Sequence, residues 1–178
     1  GMIALEGVGK LSHVSLRHHP DIHNEPAIFS AVCIKGKDGN TARVLEGPVP
    51  RWKVLAARAP GFDSATCGLG RKTYGLPRFA SSTFKGRFPF GHIELRDPKL
   101  PVEADITGWS PFIPLNADDS SLPVAALEYT LTNKSDEPIE LVYSFHAPQF
   151  FVRPWEPNHC VLRARTGTGF VLKQLPGD

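Results

Sequence analysis

The chain has 178 residues, with 20 Lys+Arg against 18 Asp+Glu and a formal net charge of +2. That charge is too small to argue for nucleic acid as a partner, no run of about 18 apolar residues suggests a membrane span, and three scattered cysteines (Cys33, Cys67, Cys160) offer neither a disulfide framework nor a Cys-x-x-Cys pair. The 16 glycines and 17 prolines argue against a helical bundle or coiled coil, and suit many short strands joined by turns.

Taken in chain order, the opening Gly1-Met2-Ile3-Ala4-Leu5 has no basic region ahead of an apolar core, so no signal peptide is visible, and the compartment is left open. Leu11 to Leu16 reads as a strand, followed by a polar stretch from Arg17 to Pro26. Ala27 to Ile34 is a nearly continuous apolar run. Lys37-Asp38-Gly39-Asn40 supplies turn chemistry, and Thr41 to Leu45 returns as the second arm of a hairpin. The prolines in Glu46-Gly47-Pro48-Val49-Pro50 rule out a central strand. Trp52 to Ala59 suits a short helix stopped by Pro60-Gly61, and residues 61 to 83 read as a long loop.

The second half is more regular. Phe88 to Leu95 forms a strand. Val102, Ala104 and Ile106 alternate with Glu103, Asp105 and Thr107, the period of a strand with one wet face. Trp109 to Pro123 is a proline-punctuated loop. Leu127, Tyr129 and Leu131 alternate with polar residues, Asn133 to Asp136 turns the chain, and Ile139, Leu141, Tyr143 and Phe145 line the next strand, which predicts a hairpin. Cys160 to Ala164 and Gly169 to Lys173 supply two last strands. About nine strands with little helix predict an all-β, antiparallel β-sandwich in a single domain over residues 1–178.

Few motifs carry chemistry. Gly7-Val8-Gly9-Lys10 imitates the end of a phosphate-binding loop, but Ala4 stands where the first glycine belongs and Leu11 where Ser or Thr belongs. His13, His18, His19 and His23 cluster near Asp21 and Glu25 without the spacing of a zinc site, so no metal and no cofactor is expected. Asn116 to Ser121 is rich in oxygen ligands but lacks the calcium-loop pattern. Such residues also form turns through their own backbone. Trp52, Trp109 and Trp155 lie in irregular, proline-flanked stretches, where tryptophan serves packing or stacks on a sugar ring. Asn133-Lys134-Ser135 fits a glycosylation sequon and equally a hairpin turn.

One series of segments goes further: Tyr74-Gly75-Leu76-Pro77-Arg78-Phe79, Gly86 through Asp97, Thr107-Gly108-Trp109-Ser110-Pro111-Phe112-Ile113-Pro114, and Asp118 through Ala125. In this order they closely resemble the N-terminal domain of glycoside hydrolase family 116, the family of non-lysosomal glucosylceramidase and bile-acid β-glucosidase. The resemblance covers most of residues 7 to 150. It implies a supersandwich-like β-domain, here an incomplete one, that packs on a helical (α/α) toroid of the same or a neighbouring polypeptide. In that toroid two carboxyl groups cleave β-glucosides with retention, which requires a pair about 5–5.5 Å apart. No position of this chain matches those residues, so none is carried over, and the chain alone is expected not to be catalytic. The candidate sugar-rim or domain-interface residues are Trp109, Phe112, Asp118, Asp119 and Ser120, on a loop stiffened by Pro111, Pro114 and Pro123. Pairing of copies through exposed sheet edges is a further expectation. The alternative reading is a stand-alone carbohydrate-binding module.

Overall fold

A computed structural model of the chain describes residues 2–15, 22–24, 27–51, 53, 73–148, 160–165 and 169–174. The chain divides into two compact units, Gly1–His146 and Ala147–Asp178. The first holds strands β1 (Met2–Leu5), β2 (Leu11–Ser15), β3 (Ile22–Asn24), β4 (Phe29–Ile34), β5 (Thr41–Val44), β6 (Ser81–Arg87), β7 (Phe90–Arg96), β8 (Val102–Trp109), β9 (Ala126–Asn133) and β10 (Leu141–His146), with a one-turn helix α1 (Ala117–Ser120) between β8 and β9. The second holds an antiparallel hairpin of β11 (Cys160–Arg165) and β12 (Gly169–Gln174).

Every pairing between these named strands is antiparallel. The first unit contains a four-stranded sheet in the order β6-β7-β8-β9, a three-stranded sheet β10-β4-β5, and a smaller sheet β1-β2-β3. The fold is all-β and sandwich-like, as the turn-rich composition predicts. Its core follows from the alternation. Val102, Ala104 and Ile106 of β8 point inward beside Ile93 and Leu95 of β7, and Val32 of β4 meets them from the other sheet together with Leu45 and Phe79. Half-buried Leu127, Tyr129 and Leu131 of β9 and Leu141 of β10 close the cluster. Each fully buried side chain of this size contributes roughly 1.5–3 kcal/mol.

Polar ties hold the layers in register. Arg43 of β5 donates from Nε to Asp97 Oδ2 at 3.0 Å, while Asp97 Oδ1 accepts from the Lys99 amide at 3.0 Å in the turn between β7 and β8. A buried ion pair joins Arg78 Nε to Glu46 Oε2 at 3.2 Å, and Lys53 Nζ reaches Glu6 Oε1 at 2.5 Å. Lys10 Nζ lies 4.4 Å from the centre of the Tyr74 ring, a cation–π contact. Ordinary strand alternation would leave Arg78 in water. It is instead 5% exposed at its side chain and caps the 73–77 turn, donating from Nη1 to the carbonyls of Tyr74 and Leu76.

The structure departs from the sequence reading at several places. The hairpin expected between β9 and β10 does not form: β9 pairs with β8, and β10 crosses to pair with β4. Two half-wet strands satisfy the same alternation whether they lie side by side or face each other across a sandwich. Here they face each other, with the Tyr129 and Tyr143 rings 5.7 Å apart. The loop expected over 61 to 83 gives way to a strand at Ser81, since β6 is built from small and β-tolerant residues that carry no apolar period. β1 and β3 add to the expected strands, and α1 lies inside the expected loop. The expected helix Trp52 to Ala59 falls almost wholly outside the described residues, as do Trp155, Cys67, His18 and His19; Arg51 and Lys53 are helical.

Candidate functional site

Register places the candidate residues at one end of the four-stranded sheet. Arg87, Phe90, Trp109 and Ala126 form one row across β6, β7, β8 and β9. Residues opposite each other in an antiparallel pair share a face, so this row lies on the side away from the core. On the core side of the same end, Gly86, Gly91 and Gly108 make a parallel row. The Phe84 ring lies over Gly86 and Gly91, and Leu5 over Gly108, in space that side chains there would take.

The two connections that leave this end also meet. The Phe88 ring, at the tip between β6 and β7, packs edge-on against Phe112 in the β8–β9 connection, with centroids 4.8 Å apart. Despite that contact both rings face water: Phe88 is 77% exposed, Phe112 49%, Phe90 48% and Trp109 39%. Beyond them the connection exposes Ile113, Leu122 and Val124, and Leu115 is fully exposed with φ +66°. An L-residue in the left-handed region costs about 1–2 kcal/mol. Apolar exposure on this scale in one place marks an interaction surface more often than a bare one.

The oxygen-rich segment serves the loop's own structure. Asn116 caps α1, its Oδ1 accepting from the Asp119 amide at 3.1 Å and its Nδ2 donating to Asp119 Oδ2 at 2.7 Å. Ser120 Oγ accepts from the Ile113 amide at 2.9 Å and donates to the Ile113 carbonyl at 3.0 Å, closing the loop onto itself. Of the candidates, Trp109 and Phe112 therefore stand together on the aromatic end, and Asp119 and Ser120 brace the loop beside it. The Asp118 side chain points to water and makes no hydrogen bond among the described residues. Sequence reasoning misses Phe88, Phe90 and Leu115 as site residues. Register with Trp109 singles out Phe90 once the strands are paired; nothing in the sequence singles out Leu115.

The outer face itself is a ladder of charges. Lys85 is hydrogen-bonded to Glu94, and this bond holds the Glu94 carboxyl below its ordinary pKa. Arg96 donates to Asp105 at 3.0 Å and lies 3.6 Å from Glu103. His92 Nδ1 is 3.3 Å from Thr107 Oγ1. Among the described residues no group of His, Cys, Asp and Glu is placed to hold a metal ion, and no helix is long and apolar enough to cross a membrane.

Comparison with known proteins agrees with the resemblance read from the motifs. The family model described as beta-glucosidase 2, glycosyl-hydrolase family 116 N-term matches residues 1–151. A search of the curated proteins finds no match. The matched span takes in the whole first unit, including the four-stranded sheet and its aromatic end, and the chain belongs to the glycosyl-hydrolase family 116 N-terminal domain family.

Proposed function

We propose that this chain is a non-catalytic accessory domain of a β-glucosidase- or glucosylceramidase-like glycoside hydrolase. In this reading it packs on a helical catalytic domain through the aromatic end of its four-stranded sheet and helps shape the entrance to the sugar site. One observation carries the reading: the apolar side chains of the β8–β9 connection are held outward by a braced loop, with Leu115 kept in a strained backbone conformation and fully exposed. Strain that serves no contact among the described residues fits a residue meant for a partner. A loop already ordered loses little entropy on docking.

Binding to a family 116 catalytic domain, measured by calorimetry, tests this. Leu115→Glu is expected to weaken the complex at least tenfold, the effect of placing a charge in the apolar centre of an interface. Leu115→Gly should weaken it less while leaving the fold intact, because glycine relieves the strained φ. Equal affinity for the wild type and Leu115→Glu sinks the reading. For the rim, Trp109→Ala in a full-length relative should alter KM for a β-glucoside; unchanged kinetics with unchanged stability removes Trp109 from the sugar entrance.

A further inference from the structure

The aspartates of this fold differ in how firmly each is held. Asp97 is followed by Pro98, which has no amide N–H, and its carboxylate is taken by Arg43 and the Lys99 amide. Asp105 accepts from Arg96 at 3.0 Å within the sheet. Asp119 Oδ2 accepts from Asn116 Nδ2 at 2.7 Å, and the amide after it, that of Ser120, donates to the Asn116 carbonyl at 3.2 Å. Asp38 has none of these ties. It lies in the Gly36–Gly39 turn that links β4 to β5, inside a run from Lys35 to Ala42 that is exposed throughout. Its carboxylate makes no hydrogen bond or ion pair among the described residues. The amide after it belongs to Gly39, in the chain's single Asp-Gly pair. Gly39 has φ +135°, a Cβ there would meet nothing within 4 Å, and its amide is held by one long bond, 3.3 Å, to the Gly36 carbonyl oxygen.

We propose that Asp38-Gly39 is a site of spontaneous backbone modification, at which the folded protein converts Asp38 to isoaspartate and becomes a substrate for an isoaspartyl methyltransferase. The Gly39 amide nitrogen bonds to Asp38 Cγ. One carboxyl oxygen leaves with two protons as water, and a succinimide ring closes. A water molecule then opens the ring. Opening at the backbone carbonyl leaves the chain running through the side-chain carbon, and the freed carboxylate stands at Cα. The sequence consumes and returns one water, and nothing is oxidised or reduced. Glycine favours the step because no side chain shields its nitrogen and its backbone turns freely into the ring. The product lengthens the main chain by one methylene, and the turn has no room for it: a Cβ on Gly36 would already sit 2.5 Å from the Gly39 carbonyl oxygen. The modified turn therefore opens. The Ile34–Thr41 end of the β4–β5 pair loosens, while the Arg43–Asp97 bond anchors the other end. The inference stands apart from the docking surface proposed above and shares no residue with it.

The test ages the full chain for several weeks at physiological temperature and neutral pH, once folded and once in urea. Isoaspartate is then located by electron-transfer fragmentation of its peptides and counted by methyl transfer from labelled S-adenosylmethionine with an isoaspartyl methyltransferase. In the folded protein Asp38 should carry at least about tenfold more isoaspartate than Asp119, since each hydrogen bond that must open first slows attack by roughly two- to tenfold. A succinimide intermediate, lighter by one water, should appear on the same peptide. Asp38→Glu, at an exposed turn position, should remove most of the methyl-accepting signal, because its longer side chain closes a larger ring more slowly. The fragmentation result on the unaltered chain stands whether or not that variant folds. Isoaspartate at Asp38 in urea but none in the folded protein would show that the turn protects the site, and overturns the proposal. Accumulation at Asp119 as fast as at Asp38 in the folded protein, or a methyl-accepting signal unchanged in Asp38→Glu, overturns it equally.

Discussion

Single residues in this domain matter in proportion to how little their surroundings can yield. Gly9, in the turn between β1 and β2, has φ +87°, and a Cβ there would sit 2.7 Å from Ile106 Cδ1 and 3.3 Å from the Leu45 carbonyl oxygen. Gly108 has an ordinary φ, and its Cβ would meet the Leu5 Cδ2 atom at 2.5 Å. The second approach is shorter, yet Leu5 can swing its side chain, whereas a left-handed φ and a backbone carbonyl cannot be moved cheaply. Gly9→Ala is therefore expected to cost about 2–4 kcal/mol from backbone strain and overpacking together. Gly108→Ala should cost nearer 1 kcal/mol. Urea unfolding midpoints of the two variants decide the order; Gly108→Ala as the more damaging change would contradict the argument.

At the scale of elements, the connection between β8 and β9 behaves as a built unit. Ser120 Oγ takes both polar groups of the Ile113 backbone, and a net hydrogen bond of this kind is worth about 0.5–1.5 kcal/mol. Ser120→Ala should leave global stability nearly unchanged but speed hydrogen exchange at the Ile113 amide about fivefold, the factor expected from about 1 kcal/mol of local opening. Exchange at Ile113 equal to wild type would show that the prolines alone hold the loop. What is legible from sequence follows the same physics. β8 announces itself because Val102, Ala104 and Ile106 alternate with Glu103, Asp105 and Thr107. β6, Ser-Ser-Thr-Phe-Lys-Gly-Arg, does not, because it is a largely exposed edge strand without an apolar stripe. Pairing is less legible than strand existence, for alternation marks β9 and β10 as strands but not which neighbour each strand bonds. Of the candidate site, Trp109 and Phe112 can be found from their motif, whereas the place of Phe90 beside Trp109 exists only once the register is known.

Across the whole molecule, the two main sheets are joined by a polar contact inside the sandwich as well as by apolar packing. Ser30 of β4 shares a 2.9 Å hydrogen bond with the Tyr143 hydroxyl of the neighbouring strand β10 in the same sheet, while from the opposite sheet the Tyr129 ring of β9 packs against Tyr143 and the Tyr129 hydroxyl is hydrogen-bonded to Ser30. Burial pushes the Tyr129 phenol up to about 12; a hydrogen bond to Ser30 pulls the other way, and the neighbouring Tyr143 and Glu46 add to the rise. The folded state therefore keeps this proton at pH values where the unfolded chain has begun to lose it. With the folded pKa raised above the unfolded value near 10, the contribution to stability is fully present below pH 10 and is lost as the pH rises toward about 12. A difference of this size between folded and unfolded chain corresponds to about 2–3 kcal/mol. Unfolding by urea at intervals from pH 8 to pH 12 should show the wild type losing stability faster than Tyr129→Phe over the upper part of that range, with the two curves parallel below pH 10. Parallel curves throughout would mean that the seam between the sheets opens enough for Tyr129 to ionise as freely in the sandwich as in the unfolded chain.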